Sequence, residues 1–342
     1  QNEEAILTCD EALKIEPNDY KAWDNKGIAL ENLERYEEAL AAYEKALEIK
    51  PDYMKAWNQI GIVLISLERY EEALFVYNKA LKIQPNCYCA FRNKGNALRK
   101  LERYEEAIFA YNKVLKNNSN CYCVWNFKGY TLSSLGEYEE ALAAYEKALE
   151  IKPDFHSAWD HKGGALDNLE RYEEAIAAYE KALEIKQDYY YAWNHKGIAL
   201  RKLERYEEAI TAYEKALEIK PDYYYTWNNK GYVLSKLERY EEAIAAYEKA
   251  VEIKPDFHSA WDNKGGALGN LEKYEEAIFA YEKALEIKPD LHYIWKNKGD
   301  ALSKLERYQE AITAYEKALE IKPNLHYIWK NKGDALSKLE RY

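Results

Sequence analysis

A tryptophan recurs every 34 residues along this chain, with no insertion or deletion between the copies. All nine tryptophans occupy this one register, from Trp23 to Trp329, and Phe91 fills the single gap in the series. A glycine follows each of these positions four residues later, from Gly27 to Gly333. Because a fixed period of roughly 20–50 residues is the signature of stacked structural repeats, the fold must be read one repeat at a time.

Residues 20–53 illustrate what one copy specifies. Trp23 and Leu30 belong to an apolar set on one face of a first helix, and the apolar residues of 36–49 step by three and four along a second helix. Pro51 ends the second helix, because proline cannot continue the hydrogen-bond ladder. Only a short Leu-Glu-Arg connection separates the two helices, so the pair is predicted to fold back antiparallel.

Composition limits the classes of partner. No apolar run approaches the roughly 20 residues that a membrane-spanning helix needs, and the net charge of −11 argues against binding nucleic acid. We therefore expect neither a membrane nor a nucleic acid as a partner. No signal-peptide pattern is visible, although the chain starts at Gln1 rather than Met, which fits a trimmed N-terminus. The sequence does not determine the compartment, and we favour the cytoplasm over secretion or the cell surface.

Four cysteines form two Cys-Tyr-Cys groups, Cys87 with Cys89 and Cys121 with Cys123. They could bind a soft metal, but their spacing does not match that of structural zinc sites. Equivalent positions on neighbouring repeats should lie about 10 Å apart, which exceeds the reach of a disulfide. The chain also has no Gly-rich phosphate loop and no nucleophile–base pair that stands out from the repeats. We therefore expect no metal, no cofactor and no catalysis.

The repeat resembles the tetratricopeptide repeat (TPR) pattern of W-x₂-L-G-x₂-Y, then A-x₃-F, then A and P. Here the pattern is carried by Trp23, Gly27, Leu30, Ala39, Tyr43, Ala46 and Pro51. The family's leucine before the glycine is lysine in nine of ten copies, and Ile60 is the tenth. The proline is replaced by Ser119 and Gln187, where looser turns are expected. The resemblance implies an all-α fold: a right-handed superhelical α-solenoid of antiparallel helix pairs.

The phase of the period predicts a single array over residues 1–342. It comprises a lone second helix in 1–19, nine full repeats in 20–325 and a lone first helix in 326–342. Each helix pair is expected to touch only its neighbours, as in other solenoids.

In TPR proteins, repeat positions 2, 5, 6, 9, 12 and 13 of the first helices line a concave groove. In this chain, the side chain at position 6 of the repeat is mostly that of asparagine or histidine, so it carries an amide or an imidazole. An amide there can pair with the backbone of an extended peptide; the competing explanation is that asparagine is simply common at this position. The candidate residues at position 6 are Asn25, Asn93, His161, His195, Asn229, Asn263, Asn297 and Asn331.

Charge at the same six positions favours an acidic or neutral ligand. They hold twelve basic and seven acidic residues, so the groove is near +5 and the rest of the chain about −16. We therefore predict a scaffold for protein–protein interaction that binds an extended, acidic or neutral peptide. A second candidate surface is the tyrosine-rich turn edge, unless those tyrosines pack between repeats. The basic candidates in the groove are Arg92, Arg99, Lys100, Arg201, Lys202 and Lys236.

The two ends suggest an alternative function, self-assembly. The terminal first helix could meet, on the next molecule, the second helix that it lacks, and such a head-to-tail contact gives a filament. The competing explanation is that the chain is a piece of a longer array. The residues predicted for this contact are Ala5, Cys9, Ala12, Trp329, Leu336 and Tyr342.

Overall fold

The computed structural model describes residues 1–340, and every regular element in that range is an α-helix. The all-α expectation is therefore confirmed. The first helices of the repeats are α2 (Tyr20–Glu31), α4 (Met54–Ser66), α6 (Tyr88–Lys100), α8 (Tyr122–Leu135), α10 (His156–Asn168), α12 (Tyr190–Lys202), α14 (Tyr224–Lys236), α16 (His258–Asn270), α18 (His292–Lys304) and α20 (His326–Leu339). The second helices are α1 (Asn2–Ile15), α3 (Tyr36–Ile49), α5 (Tyr70–Ile83), α7 (Tyr104–Asn117), α9 (Tyr138–Ile151), α11 (Tyr172–Ile185), α13 (Tyr206–Ile219), α15 (Tyr240–Ile253), α17 (Tyr274–Ile287) and α19 (Tyr308–Ile321).

The helices group into two compact units, one spanning Gln1–Leu169 and the other running from Glu170 onward. Within each unit, every helix packs against the helices that precede and follow it in the chain. The expected half-repeats are α1 and α20. That the whole chain forms one continuous array remains a prediction.

The repeated tryptophan closes the turn between successive repeats. Its indole Nε1 donates a hydrogen bond to the backbone carbonyl six residues earlier, for example from Trp57 to Pro51 at 2.8 Å. Ser119 and Gln187 accept the same bond at 2.8 and 3.0 Å, although neither is proline. The indole bond therefore does not require proline, because it needs only a carbonyl oxygen. Whether these two turns are looser than the others stays a prediction.

The repeated glycine makes room for an aromatic ring. A Cβ atom at Gly27 would lie 2.5 Å from the ring of Tyr43, and one at Gly231 would lie 2.6 Å from the ring of Tyr247. Both tyrosines are essentially inaccessible to solvent, at 0% and 1% exposure. Glycine therefore recurs because the tyrosine of the second helix packs directly on the backbone of the first.

A left-handed residue joins the two helices of each pair. Eight glutamates of the described chain, such as Glu34 and Glu238, have φ between 58° and 61° at this point. Gly136 occupies the equivalent position with φ of 83°. This residue ends the first helix and lets the chain reverse within three residues.

Candidate functional site

Several side chains at position 5 of the first helices are buried, although an open groove would leave them accessible. Asp24, Asn126 and Asn194 are only 1–4% exposed. The Asp24 carboxylate accepts hydrogen bonds from Tyr53 at 3.1 Å and from Lys55 at 2.7 Å, both near the start of the next repeat. Position 5 therefore links one repeat to the next.

Side chains at position 6 are bonded to position 5 of the preceding repeat. Asn93 Nδ2 donates to Asn58 Oδ1 at 2.8 Å, and His161 Nδ1 lies 2.9 Å from Asn126 Oδ1. Equivalent bonds join Asn263 to Asn228 at 2.9 Å and Asn229 to Asn194 at 3.3 Å. Asn93 uses both its amide nitrogen and its oxygen within the protein, since its Oδ1 also accepts from Arg92, whereas Asn263 makes only the one bond to Asn228.

The environments of the four remaining candidates at position 6, Asn25, His195, Asn297 and Asn331, differ from one another. Asn25 is exposed. Asn331 donates to Asp300 at 3.0 Å, and the Asn297 amide hydrogen-bonds to Asp262. The His195 ring lies 5.7 Å from the ring of Tyr179, between ring centroids.

Two arginines of the predicted groove stack on tyrosines of the following repeat. The guanidinium carbon of Arg99 lies 4.9 Å from the centre of the Tyr130 ring, and that of Arg201 lies 5.1 Å from the centre of the Tyr232 ring. The Nε atoms of both arginines are buried and have no hydrogen-bond partner among the described residues. Lys236 also approaches the Tyr232 ring, at 5.4 Å. Cation–π contacts of this kind hold the charge in place without neutralising it.

Ion pairing distinguishes the groove cations from the other arginines. Arg35, immediately before α3, pairs with Glu38 at 2.7 Å, and the equivalent arginines repeat this pattern. Lys55 and Lys296 of the groove pair with Asp24 and Asp300. The groove cations that form no ion pair within residues 1–340 include Arg99, Lys100, Arg201, Lys202 and Lys236. Arg92 instead donates from Nε to Asn93 Oδ1 at 3.2 Å.

Burial perturbs several titratable groups near the first helices, including Asp262 and Tyr111. It raises the pKa of the Asp262 carboxyl to about 6, against a favourable hydrogen bond from Asn297. It raises the pKa of the Tyr111 hydroxyl to about 12, although the nearby charge of Arg99 opposes that shift.

The cysteines do not assemble into one cluster. Cys121 Sγ and Cys123 Sγ lie 3.3 Å apart, and burial raises the pKa of the Cys123 thiol. No set of three or more histidine, cysteine or acidic side chains in residues 1–340 is arranged to hold a metal ion. The same residues contain no helix both long and apolar enough to cross a bilayer.

The residues predicted for end-to-end contact are accessible. Ala5 and Ala12 are exposed and Cys9 is partly so, whereas the equivalent Ala39 and Ala46 are completely buried. Trp329 is 53% exposed and Leu336 is 40% exposed. Tyr342 lies outside the described residues.

The tyrosines that hold Arg99 and Arg201 were not among the predicted site residues. The sequence carries a signal for them, since the two arginine–tyrosine pairs lie three repeat periods apart, as do the Gly-Gly dipeptides at Gly163 and Gly265. A comparison at three times the basic period would have found both tyrosines.

Comparison with curated proteins found no significant match. Among solved structures, the APC/C hetero-tetramer Cut9–Hcn1 aligns with a TM-score of 0.57 and 15% identity, over 93% of this chain and 76% of that one. YrrB, described as a TPR protein with an unusual peptide-binding site, aligns with a TM-score of 0.49 and 26% identity, over 56% of this chain and 98% of its own. The alignment with Cut9–Hcn1 shows a shared fold.

Profiles described as "Tetratricopeptide repeat" match most of the sequence. One profile matches residues 19–86, 154–221 and 188–256. Another matches residues 88–121, 122–155, 259–291 and 292–325. This fold is a scaffold suited to protein–protein interaction, and its helix pairs are those that the 34-residue period predicts. The chain belongs to the tetratricopeptide repeat family.

Proposed function

We propose that this chain is a non-catalytic scaffold that holds an extended, acidic or neutral peptide along the exposed face of its first helices. One observation carries the proposal: the unpaired cations of the groove. Arg35 and its equivalents, which immediately precede the second helices, are neutralised by neighbouring glutamates. Arg99, Lys100 and Arg201 have no such partner in residues 1–340. An incoming carboxylate would supply it.

The arginines and lysines would contribute differently. A guanidinium can accept a carboxylate through two parallel hydrogen bonds, and the rings of Tyr130 and Tyr232 restrict where Arg99 and Arg201 can point. Lys100, Lys202 and Lys236 are exposed, so they would act as solvated charges that mainly raise the association rate.

The amides at position 6 would contact the peptide backbone. Asn263, for example, uses one N–H for its bond to Asn228. Its second N–H and its carbonyl oxygen remain for a ligand. Because this pattern recurs from repeat to repeat, it suits an extended chain better than a compact ligand.

The proposal is tested with two labelled peptides, one of alternating glutamate and serine and one in which glutamine replaces every glutamate. Fluorescence anisotropy should show tighter binding of the acidic peptide and a loss of affinity between about 50 and 500 mM salt, because screening shortens the reach of exposed charges. A matching peptide of lysine and serine, measured on an Ile60→Lys variant so that the separate cleft between α3, α4 and α5 is filled, should bind more weakly than either. Equal binding of the lysine peptide at low salt would contradict the proposal.

A matched pair of triple variants assigns the effect to the groove. The groove variant carries Lys100→Gln, Lys202→Gln and Lys236→Gln. The control variant changes the same charge on the second helices through Lys82→Gln, Lys116→Gln and Lys181→Gln. Because each exposed charge pair contributes about 0.2–1 kcal/mol, the groove variant should lose about tenfold in affinity for the acidic peptide. Equal losses in both variants would mean that total charge, and not the groove, attracts the peptide.

A second candidate function is end-to-end stacking of copies of this chain, and the exposed apolar faces of α1 and α20 favour it. Leu336 is 40% exposed, whereas Leu302 at the equivalent position is 2% exposed. A Cβ atom at Gly333 would meet nothing within 4 Å, while equivalent glycines are covered by a tyrosine ring. In the proposed contact, α1 of one copy covers α20 of the next.

Cys9 offers a specific test of stacking, because it occupies the position at which other second helices carry the tyrosine. Cys9→Tyr should tighten the contact by supplying the ring that Gly333 accommodates, and Leu336→Glu should abolish it. Sedimentation velocity over a range of concentrations measures both effects. A wild-type protein and a Cys9→Tyr variant that both stay monomeric at high concentration would refute stacking.

A further inference from the structure

A row of lysines fills the clefts between successive second helices. These lysines stand at position 7 of the repeats. Lys230 Nζ lies 2.8 Å from Glu214 on the preceding second helix and 5.8 Å from the centre of the Trp227 ring. Lys264 makes the same two contacts, with Glu248 at 2.8 Å and with its own tryptophan at 5.6 Å. The aliphatic stem of the lysine thus crosses the cleft, and its ammonium ends between a carboxylate and an indole.

In the second repeat this lysine is replaced by Ile60, which is only 5% exposed and ends at the floor of the cleft. The other two members of the arrangement remain, as Trp57 and Glu44. Glu44 forms no ion pair or hydrogen bond with any residue of the described chain. The cleft therefore keeps the aromatic ring and the carboxylate but lacks the cation that joins them.

The cleft of the second repeat is open along its whole length. In the third repeat, where Lys94 is present, a smaller cavity of about 320 Å³ runs from Phe91 past Lys94 to Leu98. In the repeat that begins at Tyr190, the cleft holds a cavity between Lys196 and its tryptophan, Trp193. In the repeat that begins at His258, the cavity lies on the other side of the lysine, between Lys264 and Leu268. In the second repeat, one cavity of about 650 Å³ runs from Pro51 past Trp57 to Leu64. Its apolar lining includes Leu40, Leu47, Trp57, Ile60 and Leu64.

The rim of this cavity is acidic. Four carboxylates line it, against the two cations of Arg69 and Lys79. Three of the carboxylates have partners: Glu48 pairs with Lys45, Glu72 with Arg69, and Glu71 with Arg103. The fourth is Glu44, so the carboxylate without a partner is the one that would meet a position-7 lysine.

From these contacts we infer that the cleft formed by α3, α4 and α5 binds a lysine side chain presented by a partner protein. The stem of that lysine lies on Ile60 and Leu64, and its ammonium reaches Glu44 across the face of Trp57. The rest of the array supplies the template, because the protein's own lysines occupy the equivalent clefts in this way. Phe75, which is 59% exposed at the rim, gives the partner an additional apolar contact.

Lys79 competes for this site. Its Nζ lies 4.5 Å from the centre of the Phe75 ring and 5.7 Å from that of Trp57. It approaches from α5, one helix after the usual lysine, and has no carboxylate partner among residues 1–340. A ligand lysine must displace this side chain, so removing Lys79 strengthens binding.

The cleft is separate from the proposed groove. Positions 4, 7 and 11 of α4, which carry Trp57, Ile60 and Leu64, lie on the opposite side of the helix from positions 2, 5, 9 and 12 at 3.6 residues per turn. The cleft also attracts the opposite charge. A change at Ile60 can therefore remove lysine binding and leave groove binding unchanged.

The test uses fluorine NMR of the full chain labelled with 5-fluorotryptophan, in which Trp57→Phe assigns the Trp57 resonance. The probes are lysine blocked at both backbone ends, the equivalent norleucine, which has a stem without the charge, and the equivalent Nε-acetyl-lysine. Lysine should shift the Trp57 resonance saturably, and the two neutral probes should bind at least about fivefold more weakly, since they lack the cation that Glu44 and the indole recognise.

Three variants complete the test. Ile60→Lys refills the cleft and should abolish the response, Lys79→Ala should lower the dissociation constant at least about twofold, and Lys230→Ile should open a second site that shifts the Trp227 resonance. A Trp57 response that persists in Ile60→Lys, or one that norleucine produces equally well, would overturn the inference. So would the absence of any saturable response to lysine in the wild-type protein.

Discussion

Gly265 and Gly266 are neighbours in α16, yet replacing each with alanine should have opposite effects on stability. A Cβ atom at Gly265 would lie 2.6 Å from Cε1 of Tyr281, whereas one at Gly266 would meet nothing within 4 Å. Tyr281 is 5% exposed on α17, so its ring has little room to move away. The two substitutions differ only in whether the added methyl group has space.

The magnitudes follow from two opposing effects. Alanine is favoured over glycine in a helix interior by about 1 kcal/mol, and both variants gain this. At Gly265 the methyl group must also displace a packed ring, and overpacking of this kind costs about 1–3 kcal/mol. Because Tyr281 is confined, we take the upper half of that range. Gly266→Ala should therefore gain about 1 kcal/mol, and Gly265→Ala should lose about 1–2 kcal/mol.

The measurement combines guanidinium denaturation of the full chain with amide hydrogen exchange in α16 and α17. The second method is needed because helix pairs in a repeat array can open locally without global unfolding. Gly265→Ala should accelerate exchange in both helices, and Gly266→Ala should slow it. If Gly265→Ala proved as stable as Gly266→Ala, the ring would be yielding to the methyl group, and close packing could not explain the recurring glycine.

Three further predictions concern positions at which one repeat departs from the others. Phe91→Trp should stabilise the chain by about 1 kcal/mol in denaturant melts, because the new indole N–H can reach the carbonyl of Pro85 as it does in other repeats. Glu238→Gly should gain about 1 kcal/mol by relieving a positive φ, and Gly136→Ala should lose about as much. Burial raises the pKa of Asp262 from 3.8 to about 6, so its ionisation destabilises the folded state by about 3 kcal/mol above pH 6, a penalty that fades as the pH falls toward about 4. Urea midpoints should therefore show Asp262→Asn to be stabilising at pH 7 and nearly neutral at pH 4.

The sequence predicted the scaffold well because each scaffold contact repeats with the period. Trp57 and its equivalents meet the same turn carbonyl in every repeat that has a tryptophan, and Gly27 and its equivalents up to Gly299 pack against a tyrosine ring wherever the structure describes that contact. Contacts that differ between repeats were harder to predict. Position 5 was assigned to an open groove, but Asp24 and Asn194 are buried because the following repeat covers them. The periodicity of one helix does not report how far the next helix pair extends over it.

The sign of the charge at the predicted groove positions could be predicted from the sequence, but which of these cations are free to bind a ligand could not. The excess of basic residues at groove positions can be counted from the sequence, and so can the pairing of Arg35 with Glu38 three residues later. That Arg99 instead rests on Tyr130, in the next repeat, depends on the spacing between helix pairs. A sequence alone therefore gives the net charge of a face, whereas structure separates the neutralised cations from those that can attract a ligand.

The two proposed sites in Gln1–Leu169 attract opposite charges, yet they should be occupied independently. Lys100 and Arg99 lie on the groove side of α6, while Glu44 faces the cleft on the far side of the first helices. A helix with its side chains is about 10 Å across, and the Debye length at physiological salt is about 8 Å. Screening should therefore leave little interaction between an acidic peptide in the groove and a lysine in the cleft. Saturating the groove should leave the lysine affinity of Trp57 nearly unchanged at physiological salt and raise it only at low ionic strength, where the charge of the bound peptide reaches the cleft.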